Sequence, residues 1–254
     1  MSIATGASPI QPEPGLLGQT VVVIGGSAGI GLETARRARA DGAEVILTGR
    51  NAEHLKQASA DVGAHAVAAF DATDTPALGR FFADLPGPID HVMVTGPGPY
   101  YAPLAELDHA RVISDFDGHL WLAIEVARHA VGRVRPGGTL LFMSGTDDGR
   151  RGPGLSLMAA FNAALPALIG NLAVEVAPIR VNLIAAGFID TPLSGRLLGD
   201  DLEARRDQLR ATLPIGRVVG PADIAALAVH LMINTAVTGA TYDIDGGQQL
   251  VPGS

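Results

Sequence analysis

The segment at residues 21–31, VVVIGGSAGIG, limits the folds open to this chain more than any other. Its apolar run is typical of a strand buried on both faces, and the glycines that follow let the backbone turn tightly into a helix. A strand that passes through a glycine turn into a helix is the first half of a βαβ unit. The segment therefore predicts a parallel sheet covered by helices.

The rest of the chain continues this alternation of short apolar runs with helical patterns. The predicted strands span 19–25, 44–49, 65–70, 89–95, 137–143, 179–185 and 240–245. The predicted helices span 29–41, 51–62, 74–84, 107–134, 155–176, 200–212 and 221–234. This order predicts an α/β protein: a three-layer Rossmann fold with a doubly wound, seven-stranded parallel sheet.

The chain of 254 residues contains no linker or internal repeat that would divide it. We therefore expect one domain over 17–254, preceded by a short flexible tail over 1–16. Pro166 lies inside the helical pattern at 155–176, so we expect a kink or a break at that position.

Composition argues against several classes of function. The net charge of −8 would repel nucleic acid and anionic membranes. No uninterrupted apolar run is long enough to span a bilayer, and the first residues lack a signal-peptide pattern. The absence of cysteine excludes disulfides and cysteine-based metal sites, and we predict no metal. We expect a cytoplasmic protein without nucleic-acid or membrane partners.

The glycine turn also predicts a ligand. Glycines allow the backbone to approach a diphosphate closely, and the following helix start offers unpaired N–H groups to the anion. We therefore expect a dinucleotide cofactor at this turn, with a hydroxyl donor from Ser27 among the contacts. The predicted contacts are Gly25, Ser27, Gly29, Ile30 and Gly31.

The end of the second strand indicates which dinucleotide binds. A carboxylate there would hold a free ribose 2′-hydroxyl, whereas a cation accommodates a 2′-phosphate. The strand ends with Arg50 and Asn51, and the first carboxylate after it is Glu53. Because a guanidinium can bind a phosphate with two hydrogen bonds, we expect NADP(H) rather than NAD(H), held by Arg50 and Asn51.

Taken together, residues 17–250 resemble the short-chain dehydrogenase/reductase family. The resemblance rests on the turn from Gly25 to Gly31, the Arg-Val-Asn run at 180–182 and the segment Asp245-Gly246-Gly247. Asp71, Gly187 and Thr191 match as well. The resemblance implies contacts to the adenine from Asp71 and Ala72, and to the nicotinamide amide from Gly187, Ile189 and Thr191. The turn after the fourth strand departs from the family's Asn-Asn-Ala-Gly, and its Gly96 and Pro97 are expected cofactor contacts.

The positions of the family's catalytic residues do not match. The chain has a single lysine, Lys56, so it contains no tyrosine followed four residues later by lysine. Aligned on the family, Met158 stands at the tyrosine, Asn162 at the lysine and Gly145 at the serine. Asp117 or Phe116 stands at the supporting asparagine, depending on register. Methionine has no proton to transfer and asparagine brings no charge, so the usual acid–base set is absent.

Other residues near the strand ends are candidate substitutes for the missing acid. They are Ser144, Asp117, His119, Asp147, Thr146, Asp148, Tyr100 and Tyr101. Of these side chains, an imidazole titrates in the range best suited to acid–base work. Met158 and Phe161 would make the substrate pocket apolar.

Two functions remain open from the sequence. The chain is an oxidoreductase on a carbonyl or alcohol that uses a substitute proton donor or water, or it is a cofactor-binding pseudoenzyme that acts as a sensor or partner subunit. Apolar residues on the helices at 107–134 and 155–176 resemble those of the family's dimer interface. They predict a homodimer or homotetramer and are Leu120, Trp121, Ile124, Leu165, Leu168 and Leu172.

Overall fold

A parallel sheet of seven strands organises the computed structural model, which describes residues 15–146 and 152–251. The strands are β1 (Thr20–Ile24), β2 (Glu44–Gly49), β3 (Ala66–Ala69), β4 (Ile89–Val94), β5 (Val134–Gly145), β6 (Arg180–Ala186) and β7 (Thr241–Ile244). Their order in the sheet is β3-β2-β1-β4-β5-β6-β7, and every pairing is parallel. This confirms the predicted Rossmann fold.

Helices cover both faces of the sheet. They are α1 (Gly29–Ala40), α2 (Ala52–Val62), α3 (Thr75–Asp84), α4 (His109–Phe116), α5 (Leu122–Ala130), α6 (Ser156–Glu175), α7 (Pro192–Leu198), α8 (Leu202–Thr212) and α9 (Pro221–Ile233). Helices α3, α5 and α6 pack in one hydrophobic cluster, and α1, α2 and α9 pack in the other. Successive strand residues point to opposite faces, so each central strand contributes to both clusters. The molecule therefore has three layers.

The expected helix over 107–134 is shorter and divided. Asp108 accepts a hydrogen bond from the N–H of Arg111 at 2.8 Å and so starts α4 at His109. A π-helical turn over Asp117–Trp121 separates α4 from α5, which ends at Ala130. Strand β5 consequently starts at Val134, three residues earlier than expected, and the short helix α7 was not predicted.

Helix α6 continues through Pro166 without the expected break. By length and composition it is apolar enough to cross a membrane, with a mean hydropathy of 1.7. The expectation from the sequence concerned uninterrupted apolar runs, and Asn162 and Asn171 interrupt the apolar sequence of this helix. In the fold, its Leu165, Ile169 and Leu172 pack into the hydrophobic cluster against the sheet. Its apolar character thus serves packing between layers.

The N-terminal boundary of the folded domain lies earlier than expected. Leu16 is fully buried, packs with α1 and α9, and donates its N–H to the carbonyl of Asp41 at 3.1 Å. The predicted tail over 1–16 therefore overlaps the domain at Leu16. Residues 1–14 lie outside the described part of the chain.

Candidate functional site

Two adjoining cavities open at the carboxyl ends of the strands, where β1 lies between β2 and β4 and the strand order reverses. Ligands of open α/β sheets bind at this point. One cavity, here called the groove, has a volume of about 430 Å³ and is lined by the glycine turn and the ends of β2 and β3. The other, here called the inner cavity, has a volume of about 380 Å³ and lies over the ends of β5 and β6. They share the lining residues Ile30, Thr95, Gly96, Pro97, Thr191 and Leu193.

The glycine turn fits its surroundings too closely to hold larger residues. Gly25 has a φ of +87°, and a Cβ there would overlap the hydroxyl of Thr95. A Cβ on Gly31 would overlap the carbonyl of Gly25. Thr95 holds the turn from β4, since its Oγ1 lies 3.1 Å from the carbonyl oxygens of both Ile24 and Gly25. The close packing keeps α1 directly behind the groove.

The start of α1 suits a bound anion. Its N-cap residue is Ala28, which has no side-chain hydrogen bond to offer, and its first turn contains no acidic residue. The first N–H groups of the helix are therefore left to an external acceptor, at the positive end of the helix dipole. Ser27, Ala28 and Gly29 line the groove at this point, which fits the diphosphate of a dinucleotide.

Most predicted cofactor contacts line the groove or the inner cavity. Arg50, Asp71 and Ala72 line the groove together with the glycine turn and Ser27. Asp71 shapes the loop after β3, because its Oδ1 accepts hydrogen bonds from the N–H and hydroxyl of Thr73 at 3.0 and 2.8 Å. Asn51 lines neither cavity; its Oδ1 caps α2 by accepting from the N–H of His54 at 2.9 Å.

The segment after β6 contributes mainly to the inner cavity. Gly187, Ile189 and Thr191 all line it, and Thr191 also lines the groove. Thr191 starts α7 in a reciprocal arrangement with Ser194, in which the N–H of Thr191 donates to Ser194 Oγ at 2.8 Å. This capping holds α7 beside both cavities.

Three charged residues of the groove were missed by the sequence reasoning: Arg111, Asp115 and Arg196. Asp115 is 3% exposed; its Oδ1 lies 3.4 Å from Arg111 Nε, and its Oδ2 has no hydrogen-bond partner. From the sequence, Asp117 or Phe116 was expected at the position of the family's supporting asparagine. Asp117 lines neither cavity, because the π-helical turn that starts there leaves Asp115 as the buried carboxylate. The only sequence signal was the i,i+4 spacing of Arg111 and Asp115.

The three positions aligned with the family's catalytic residues meet on one wall of the inner cavity. The N–H of Gly145 donates to Asn162 Oδ1 at 3.2 Å, and Asn162 Nδ2 donates to the carbonyl of Thr146 at 3.4 Å. Met158, one turn before Asn162 on α6, is 8% exposed and lines the same wall. The amide of Asn162 is thus hydrogen-bonded to the backbone of β5 and the residue after it.

Some of the candidate substitutes for the missing acid line the inner cavity, and others do not. His119 and Ser144 line the inner cavity, as do Thr146 and Tyr101. Ser144 Oγ donates to the carbonyl of Gly145 at 3.0 Å. Tyr100 lines neither cavity, and its hydroxyl accepts from the N–H of Asp108 at 3.3 Å. Asp147 and Asp148 lie outside the described residues.

The remaining wall of the inner cavity is apolar and comes from α6 and α7. Leu155, Leu193 and Leu197 line it, together with Phe188. Arg205 of α8 brings a cation to the rim, with its guanidinium 5.9 Å from the centre of the Phe188 ring. Within 15–146 and 152–251 no group of three or more histidine or acidic side chains is arranged to hold a metal. The arrangement suits an organic substrate with an apolar body.

Residues 25–249 match the family model described as enoyl-(acyl carrier protein) reductase. The chain is 26% identical to the short-chain dehydrogenase/reductase malC of Malbranchea aurantiaca, over 92% of this chain and 96% of that protein. It is 31% identical to 3beta-hydroxysteroid dehydrogenase 1 of Eggerthella lenta, over 94% of this chain and 96% of that protein. It is 27% identical to the NADP-dependent (R)-specific alcohol dehydrogenase of Lentilactobacillus kefiri, over 91% of this chain and 97% of that protein.

Solved structures agree with these relatives. The MalC reductase/Diels-Alderase of Malbranchea aurantiaca superposes with a TM-score of 0.85 at 25% identity, covering 94% of this chain and 99% of that one. A small-chain dehydrogenase in complex with NADPH superposes with a TM-score of 0.77 at 28% identity, covering 91% and 99%. The family match, the relatives and the paired cavities agree, and the chain belongs to the short-chain dehydrogenase/reductase family of oxidoreductases.

Proposed function

We propose that the protein is an NADP(H)-dependent oxidoreductase that interconverts a carbonyl and an alcohol in the inner cavity. The observation that carries this proposal is the continuity of the groove with the inner cavity through Ile30, Gly96 and Thr191. A dinucleotide whose diphosphate lies at the start of α1 would extend along these shared residues. Its reactive end would then reach the cavity where a substrate fits.

Arg50 supports NADP(H) over NAD(H). It follows β2 directly, lines the groove and is solvent-exposed, where its planar guanidinium can take a 2′-phosphate. Arg111 of α4 and Arg196 of α7 line the same groove and add further cations to it. The NADPH complex of the structural neighbour and the NADP-dependent relative support the same cofactor.

The chemistry of hydride transfer assigns separate roles to the cofactor and to the protein. The bound cofactor supplies or accepts the hydride. The protein's own residues orient the substrate, exclude water and handle the proton on the substrate oxygen. Met158, Leu155 and Phe188 give the inner cavity an apolar surface that excludes water and receives an apolar substrate body.

Binding of NADPH and NADH to the purified protein, followed by nicotinamide fluorescence, tests the cofactor assignment. We expect Arg50→Ala to weaken NADPH binding by about 10- to 100-fold and NADH binding by less than about 3-fold, because only NADPH carries the 2′-phosphate. Arg37→Ala is the matched control, since Arg37 is an exposed cation on α1 that lines neither cavity. Equal losses for the two cofactors would contradict the role of Arg50. No binding of either cofactor by the wild type would contradict the whole proposal.

One observation favours a second candidate function, a pseudoenzyme that binds the cofactor without turnover. Asn162 stands where the family has lysine, and its amide is hydrogen-bonded to Gly145 and Thr146. It therefore brings no charge to the cavity. Tight NADPH binding without oxidation of the cofactor in the presence of ketones would select this function.

A further inference from the structure

The inner cavity needs a proton donor that the aligned positions do not supply. Gly145 has no side chain, Met158 has no transferable proton, and the amide of Asn162 does not ionise. The described lining residues with a side-chain N–H or O–H besides Asn162 are Thr95, Tyr101, His119, Ser144, Thr146, Thr191, Ser194, Arg205 and Gln248. Of these groups an imidazole alone ordinarily exchanges its proton near neutral pH. His119 is accordingly the group to test against the geometry.

A backbone contact fixes the protonation pattern of His119. Its Nδ1 lies 2.9 Å from the carbonyl oxygen of Asp115, one helical turn earlier. A carbonyl oxygen only accepts hydrogen bonds, so Nδ1 must carry the hydrogen and Nε2 is left as the exchangeable nitrogen. The His119 side chain lines the inner cavity, and Nε2 is its nitrogen that can exchange a proton with a ligand there.

Packing fixes the orientation of the ring as well. The imidazole stacks on the ring of Phe161, with centroids 5.3 Å apart and an interplanar angle of 18°. Phe161 precedes Asn162 on α6, and His119 and Asn162 both line the inner cavity. Gly118 lets the π-helical turn approach the loop after β4, because a Cβ there would lie 2.6 Å from Pro97 Cγ. An oriented group costs less to align at each turnover than a mobile one.

Few other ionisable groups surround this imidazole. Tyr101, from the loop after β4, and Arg205, from α8, line the same cavity. The carboxylate of Asp115 lies one turn back on the same helical segment and lines the groove, where it is paired with Arg111. The described lining residues from α6, β5 and α7 add no titratable side chain. Within 15–146 and 152–251, these charged groups comprise one carboxylate and two guanidinium groups.

We propose that His119 is the catalytic acid–base residue of this divergent site, and this rests on the proposed oxidoreductase function. In the reductive direction the substrate C=O gains a hydride at carbon from the cofactor and a proton at oxygen from Nε2 of the imidazolium. The products are the alcohol, the oxidised cofactor and a neutral imidazole, which regains its proton from solvent. In the oxidative direction neutral Nε2 takes the hydroxyl proton.

Turnover and magnetic resonance test the proposal together. The turnover probes are acetophenone, ethyl 3-oxobutanoate and 2,3-butanedione with NADPH. We expect His119→Ala to lower turnover by at least about 100-fold with little change in NADPH affinity, and added imidazole to restore part of it. His109→Ala is the matched control, since His109 is exposed at the start of α4 and should leave turnover unchanged. In cofactor-free protein, nitrogen NMR should show the His119 proton on Nδ1.

The possible failures are distinguishable. Turnover by His119→Ala within about 3-fold of the wild type would overturn the role of His119 and leave the oxidoreductase function standing. A neutral His119 protonated on Nε2 would overturn it without any activity measurement. Wild-type protein that binds NADPH but turns over none of the three ketones would overturn the oxidoreductase function and the role of His119 together, in favour of the pseudoenzyme. Failure to bind NADPH would overturn cofactor binding as well.

Discussion

At the scale of single residues, burial strongly perturbs His91, which lies in β4 and is 3% exposed. Its Nε2 lies 2.7 Å from Gln19 Oε1, and the Gln19 amide is oriented by its own hydrogen bond to the carbonyl of Gly15 at 3.1 Å. Nε2 therefore donates, and the buried Nδ1 has no partner. Burial, and secondarily the positive charge of Arg180, lower the pKa of His91 from 6.5 to about 3.

This shift predicts a loss of stability in mild acid. The unfolded chain takes up the proton below its pKa of about 6.5, whereas the folded chain stays neutral down to about pH 3, so stability falls as pH drops through that window. From pH 7.5 to pH 5 His91 should contribute a loss of about 2 kcal/mol. Urea denaturation of the wild type and His91→Gln at both pH values measures it. The difference in unfolding free energy between the two pH values should shrink in His91→Gln. It should persist in His65→Gln, whose side chain is exposed. Equal pH dependence of stability in all three proteins would contradict the assignment.

At the scale of elements, β5 and α6 are joined by the hydrogen bond from the N–H of Gly145 to Asn162 Oδ1. A Cβ built on Gly145 would lie 2.9 Å from Asn162 Nδ2, so the asparagine amide fills the space that a serine side chain would need. The two family substitutions are therefore physically coupled. With Asn162 in place, restoring a serine at 145 requires the amide to leave its backbone partners.

A double-mutant cycle measures this coupling. We expect Gly145→Ser alone to lower the free energy of unfolding by about 1–3 kcal/mol through overpacking and lost hydrogen bonds. In the Asn162→Ala background the same change should cost at least about 1 kcal/mol less. Asn171→Ala is the control background, since Asn171 is exposed on the same helix and bonds only to the carbonyl of Ala167 at 2.8 Å. Additivity within about 0.5 kcal/mol in both backgrounds would show that the two positions are independent.

The elements differ in how far sequence could predict them. Continuous apolar runs and glycine turns identified the strands and the groove, because both are local patterns with a fixed period. The division of the helix over 107–134 and the partner of Asn162 depend on contacts between distant segments. Gly118 packs against Pro97, and Asn162 bonds to Gly145 seventeen residues earlier. No local pattern encodes such contacts, so Asp115 was missed and Asp117 was named instead.

At the scale of the whole molecule, the structure buries some of the residues that the sequence predicted at a subunit interface. Leu165 and Leu172 were expected to face another subunit, but they are 1% and 7% exposed and pack into the core. The exposed apolar side chains of this region are Ile113, Phe116 and Trp121 on α4 and the π-helical turn, at 48%, 42% and 39%, and Val174 at the end of α6, at 78%. Leaving such a face in water is unfavourable.

We propose that the face formed by Ile113, Phe116 and Trp121 pairs two copies of the chain. Light scattering after size exclusion should then give a mass that is a multiple of the 26.0 kDa chain. Phe116→Glu should shift the protein toward monomer, because pairing would bury an uncompensated carboxylate in each subunit. Leu17→Glu is the control, since Leu17 is 65% exposed beside the core residue Leu16, which packs with α1 and α9. A monomeric wild type would refute the pairing, and a dimer insensitive to Phe116→Glu would place the interface elsewhere.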